Sequence, residues 1–205
     1  MTKTQKWSAA AFIITAIFLV PLLMVTTQFI RSTDGQSRYG IHAENLAPLS
    51  FQWQDTRFNS HIFPANKAQF TYLFAGFLSC SEICPIRIQQ LHQLENAIAE
   101  DSELDQADIV FMFITIDPDN DTPAIRQQMI DDKSSRFISA ALTEPDLLTL
   151  SQHLSENIQA HSPINNHVGN LYLIAPNGRI ARIYTSKHLS TDKMLAELRQ
   201  YITSN

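Results

Sequence analysis

Two dense apolar blocks, residues 70–77 and 109–116, are bounded by polar or turn residues, and between them Ile88, Leu91, Leu94 and Ile98 recur at steps of three and four. Blocks of that density suit strands buried on both faces. The period between them suits an amphipathic helix, with Arg87, Gln90, Gln93 and Glu100 elsewhere on the wheel. Strand, helix and strand at this spacing form a βαβ unit with a right-handed crossover and parallel pairing. The chain is thereby committed to the α/β class.

The remaining segments fit around that unit. Alternation over residues 49–53 and 59–63 predicts the two arms of a hairpin. Asp117-Pro118 ends the second central strand, and Asp121-Thr122-Pro123 starts a helix through Met129, with Thr122 as its cap. Glu144-Pro145 opens another helix, with Leu147, Leu148, Leu150 and Leu154 on its apolar side. Residues 170–175 and 179–184 bracket Pro176-Asn177-Gly178, a turn joining an antiparallel hairpin, and a helix over 191–202 closes the chain. A βαβ half followed by a ββα half is a thioredoxin-like plan, a mixed sheet flanked by helices.

Residues 7–25 form an apolar run with no charge, long enough to span a bilayer. Lys3 and Lys6 precede it, so a short cytoplasmic tail and an extracytoplasmic remainder are expected. The run exceeds the hydrophobic core of a cleaved signal peptide, and Val25-Thr26-Thr27-Gln28 makes a poor cleavage site. The predicted organisation is therefore an N-terminal transmembrane anchor over 1–31, a polar tether over 32–42 and one soluble domain over 43–205. Four of the 15 basic residues and one of the 20 acidic ones precede residue 39, leaving 11 against 19 in the domain. An exterior this acidic excludes nucleic acid as a natural partner.

The chain has only two cysteines, Cys80 and Cys84, placed after the first apolar block and ahead of its helix. Ligands in open α/β sheets gather at the carboxyl ends of strands, which is where this loop falls. A C-x-x-x-C step brings two sulfurs close enough for a disulfide or for one soft metal ion. A purely stabilising disulfide would achieve little, because closing so short a loop removes little entropy from the unfolded chain. Pro85 suits the first position of a helix, which makes Cys84 the expected N-cap, in a field that favours its thiolate.

Among the seven histidines, His167 stands in the polar loop ahead of the last hairpin, which faces the cysteine-bearing helix in such a sheet; His161 is its nearest competitor. His42, His92, His153 and His188 read as ordinary surface or partly buried side chains. Two thiolates and an imidazole would make a trigonal soft site well matched to copper. Glu82 reads as a solvated loop carboxylate, and Asp117 and Asp121 as caps and turn formers rather than copper ligands. A thiol-disulfide oxidoreductase, in which one cysteine attacks a partner disulfide and the other resolves it, is the alternative from the same pair.

These residues together resemble the Sco/SenC family of membrane-anchored copper proteins of cytochrome c oxidase assembly. The resemblance is carried by Phe74-Ala75-Gly76-Phe77-Leu78-Ser79-Cys80-Ser81-Glu82-Ile83-Cys84-Pro85, by Thr115-Ile116-Asp117-Pro118 with Asp121-Thr122-Pro123, and by Asn166-His167 ahead of 171–178. It implies Cys80 and Cys84 as copper ligands and redox partners and His167 as the third ligand. It also implies a copper ion as cargo, a cytochrome oxidase copper-site subunit or another copper acceptor as partner, and a thiol reductant. The chain departs from the family where Ser81 and Glu82 follow the first cysteine in place of Pro and Asp. Asn166 stands in place of an Asp before the histidine, and Val168 in place of a Ser after it. The missing Asp removes an acceptor beside the imidazole, a change that tunes ligand orientation and metal affinity.

Overall fold

The computed structural model describes residues 39–43, 46–65, 68–158 and 169–204, which fall in one compact unit beginning at Tyr39. The expected anchor lies outside the described residues, and among these no helix is long and apolar enough to cross a membrane. The strands are β1 (Ile41–His42), β2 (Phe51–Gln54), β3 (Ser60–Phe63), β4 (Phe70–Gly76), β5 (Ile109–Thr115), β6 (Phe137–Ala141), β7 (Leu171–Ile174) and β8 (Ile180–Tyr184). The helices are α1 (Ile83–Ala99), α2 (Pro123–Met129), α3 (Glu144–Leu154) and α4 (Thr191–Ser204). A single 3₁₀ turn covers Asp131–Lys133.

One eight-stranded sheet runs in the order β1-β8-β7-β4-β5-β6-β2-β3. β4, β5 and β6 are parallel, while β7 runs antiparallel to β4 and β8 to β7, which gives the mixed sheet expected. Successive strand side chains point to opposite faces, and both faces here are covered. Phe70, Tyr72 and Phe74 of β4 and Ile109, Phe111 and Phe113 of β5 meet Leu91, Leu94 and Ile98 of α1 and Met194, Leu195 and Leu198 of α4. Leu73 and Ala75, with Met112 and Ile114, meet Leu147, Leu150 and Leu154 of α3 together with Phe51, Trp53 and Phe63.

Several local expectations change. β6 was not expected: Phe-Ile-Ser-Ala-Ala carries too few large apolar residues to signal a strand, and its pairing with β5 makes it one. Ile41–His42, assigned to the tether, pair with β8 as an edge strand. α1 starts two residues earlier than expected, so Cys84 is its second residue and Glu82 holds the cap position without a side-chain cap. Pro85 becomes the third residue, still within the turn whose N–H groups have no partner inside the helix. Thr122 caps α2, accepting from the Ile125 N–H at 3.4 Å, and Pro123 follows it.

Candidate metal centre

The cysteines occupy the join between β4 and α1, at the carboxyl end of a central strand. Cys84 is 1% exposed and packs with the aromatic core beneath α1. Gly76 makes room for it. A Cβ there would lie 3.1 Å from the Cys84 Sγ and 2.7 Å from the Phe74 ring. Cys80 sits on the loop above, half-buried, its N–H donating to the Phe77 carbonyl at 3.3 Å. Both thiols are free.

Their environments push the two sulfurs apart in acidity. Burial alone would raise the Cys80 thiol, but N–H groups of Cys84, Glu82 and Ile83 and the Cys84 thiol stabilise its anion and leave it below the ordinary thiol value. Burial drives the Cys84 thiol up to about 12, with the neighbouring Cys80 and Asp121 adding to the rise. The Cys80 thiol ionises the more readily of the two, whereas Cys84 is held as a thiol until a cation or the loss of its neighbour's charge changes the balance.

Asp121 ties this loop to the next one. Its buried carboxylate accepts from the Leu78 N–H at 3.0 Å and from the Thr115 hydroxyl at 2.7 Å. Asp117 accepts from the Asn120 side chain at 2.9 Å, and its carbonyl from the Asp121 N–H at 2.8 Å. Both behave as turn formers, with Asp121 also holding the cysteine loop. Glu82 is exposed, as a solvated carboxylate should be.

His167 and His161 lie outside the described residues. Among the described residues no cluster of three or more His, Cys, Asp or Glu is arranged to hold a metal. Three of the other histidines have plain settings. His92 stacks on Phe137 at 4.4 Å, His61 stacks on Trp53 and bonds Asp55 at 3.0 Å, and His153 donates to the Thr149 carbonyl at 2.8 Å.

Sequence reasoning missed Arg87. Placed on the polar side of the wheel, it is instead 1% exposed, and its guanidinium donates to the carbonyls of Gly169 at 2.6 Å and Ser186 at 2.8 Å. The signal was present in the spacing: the buried residues of α1 are Cys84, Arg87, Leu91, Leu94 and Ile98, a stripe at steps of three and four that includes the arginine. Gly169 itself lies against Ile83, where an added Cβ would approach the Ile83 Cγ1 to 3.1 Å. The backbone that leads into β7 therefore passes directly over the residue next to Cys84.

A mixed sheet with paired thiols at the head of its first helix, one acidic and half-exposed, one buried, defines a thioredoxin-like protein of the thiol or soft-metal kind. The chain belongs to the SCO1/SenC family, whose model matches residues 50–203. An SCO2-like protein of Rickettsia typhi is 28% identical over 153 residues, which cover 70% of this chain and 71% of that one. The crystal structure of Arabidopsis thaliana ScoI with copper bound superposes with a TM-score of 0.64 at 19% identity, covering 77% of this chain and 99% of the other. BsSco, a member of the Sco family of cytochrome c oxidase assembly proteins for which a disulfide switch was identified, superposes at 0.63 with 15% identity, covering 83% and 99%. At these identities the superpositions establish the shared fold.

Proposed function

We propose that this chain is a membrane-anchored copper metallochaperone in which Cys80, Cys84 and His167 hold one copper ion as cargo. The ion passes to the copper-site subunit of a cytochrome oxidase or to a related copper acceptor. Residues 1–31 anchor the chain, and the domain works on the extracytoplasmic side. The observation that carries the reading is the pair of free, unlike thiols at the head of α1, in a family whose Arabidopsis member holds copper. Thiolates are soft donors suited to copper, and a bound cation replaces the proton that burial keeps on Cys84. Gly169 against Ile83 supports His167 as the third ligand, since two residues of chain reach at most about 7 Å. Cys80, the more exposed sulfur, is the ligand that an acceptor displaces first. In an oxidising compartment the pair needs an external thiol reductant to stay competent for copper.

A second reading draws on the same asymmetry and on the disulfide switch of BsSco. The Cys80 thiolate attacks a partner disulfide, forming a mixed disulfide and releasing one partner thiolate. Cys84, losing its proton, then attacks Cys80, releases the second partner thiol and closes the Cys80–Cys84 disulfide, so the partner gains the two electrons that the pair loses.

The deciding experiment titrates the reduced full chain with Cu(I) against a competing chelator, then repeats it with His167→Ala. Weakened copper binding with thiol exchange preserved supports the chaperone. Indifference to His167 alongside active exchange supports the oxidoreductase and overturns the three-ligand site.

A further inference from the structure

The Gly169–Asn170 peptide is gripped from both sides by buried titratable side chains. Its carbonyl accepts from Arg87 Nε of α1 at 2.6 Å, and its N–H donates to Glu156 Oε1, in the segment after α3, at 3.1 Å. Arg87 is 1% and Glu156 6% exposed. Each is itself braced. Arg87 also donates to Gln90 Oε1 at 2.7 Å and to the Ser186 carbonyl, while the Gln90 amide donates to the Lys187 carbonyl at 2.9 Å. The Glu156 carbonyl accepts from the Ser151 hydroxyl at 2.5 Å, and that hydroxyl in turn accepts from the Ile158 N–H at 3.2 Å.

Holding one peptide in this way is expensive unless it serves something. An arginine and a carboxyl group are taken out of water, and the ionised guanidinium alone costs several kcal/mol even after relaxation. The gripped unit starts two residues beyond His167 and rests on Ile83, beside Cys84. Arg87 lies three residues after Cys84, so one helical turn carries both a thiol and the group that fixes where the following loop re-enters the sheet.

We infer that Arg87 and Glu156 are positioning residues for copper, clamping the Gly169–Asn170 peptide so that the loop ending there delivers its histidine to the two thiols. This rests on the three-ligand reading proposed above. The clamp touches neither sulfur and works through the chain leading to His167. Groups that orient a metal ligand from outside the coordination shell typically change affinity by about 10- to 100-fold. Asn166, standing where the family has an Asp, leaves more of that orienting work to the backbone.

The test is a double-mutant cycle on the reduced full chain in detergent, with Cu(I) affinity read by chelator competition and nitrogen hyperfine splitting read from the Cu(II) form. Arg87→Met should weaken Cu(I) binding about 10- to 100-fold and alter the nitrogen signal, with Cys80 alkylation unchanged. In a His167→Ala background the same substitution should cost less than about twofold. Glu156→Leu should behave like Arg87→Met, whereas Glu156→Gln, which keeps an acceptor oxygen, should retain affinity. That Glu156 pair carries the test if Arg87→Met fails to fold. Equal losses in both backgrounds would show a general structural role and overturn the clamp. So would native affinity in Arg87→Met and Glu156→Leu while His167→Ala weakens binding. An unaltered affinity in His167→Ala alone would instead overturn the three-ligand reading beneath it.

Discussion

At the scale of single residues, the two thiols differ because one faces a ring of N–H donors and the other a packed core. Metal binding and thiol exchange both need a thiolate, and these surroundings set the order in which the two sulfurs ionise. Iodoacetamide should label Cys80 first, with its rate rising at a pH below that of a free cysteine, while Cys84 stays protected in the folded chain. Peptide mapping after brief alkylation checks this, and fast labelling of Cys84 would contradict it. Gly76→Ala should destabilise the domain by about 1–3 kcal/mol, because the new methyl would meet the buried Phe74 ring and the Cys84 sulfur with no free volume to take it. A denaturant melt checks the cost, and a variant as stable as the native chain would show that Phe74 can swing aside.

At the scale of elements, the site is a junction where two strand ends and a helix start are tied by side chains the sequence only partly announces. Asp121 belongs to the turn before α2 yet accepts from Leu78 in the cysteine loop, so it couples two connections that are 43 residues apart in the chain. Asp121→Ala should leave the Leu78 N–H and the Thr115 hydroxyl without their acceptor, costing about 1–3 kcal/mol. The alkylation rate of Cys80 should change with it. If only stability moves, Asp121 supports the sheet without shaping the thiol loop. The βαβ core, the Thr122 cap and the last hairpin were legible because apolar density, Pro placement and a Pro-Asn-Gly turn are local signals. β6 was not, since Phe-Ile-Ser-Ala-Ala becomes a strand by lying beside β5. Arg87 was misread because a charge on a helix wheel is assigned to solvent by default. Its true partners, the carbonyls of residues 169 and 186, are distant in sequence. The cysteines were readable as a close pair at the carboxyl end of a central strand, but their unlike acidity depends on the N–H groups around Cys80, on Asp121 and on the burial of Cys84, none of which a spacing reveals.

At the scale of the whole molecule, the buried carboxylate of Glu156 makes stability depend on pH in a window that can be stated in advance. Burial raises its pKa from 4.5 to about 7, against the opposing N–H groups of Asn170 and Gly169. Arg87 on α1, and Tyr172 on β7, are the titratable side chains that act on it or feel its charge. The folded state therefore holds this proton more tightly than the unfolded chain. The associated stability is fully present below pH 4.5 and is lost as pH rises through about 7. A shift of that size corresponds to about 3 kcal/mol. Asp121 and Asp131, also raised by burial, and Asp101, lowered by Arg199, shape the total curve, so the contribution of Glu156 is read as a difference. Glu156→Gln keeps an oxygen for the Asn170 N–H and removes the titration. It should match the native chain near pH 4 and exceed it by about 3 kcal/mol near pH 8, measured by urea unfolding at both values. A constant difference across the window would mean that Glu156 ionises in the folded domain at an ordinary pH. Its carboxylate would then be better solvated than a side chain only 6% exposed can be.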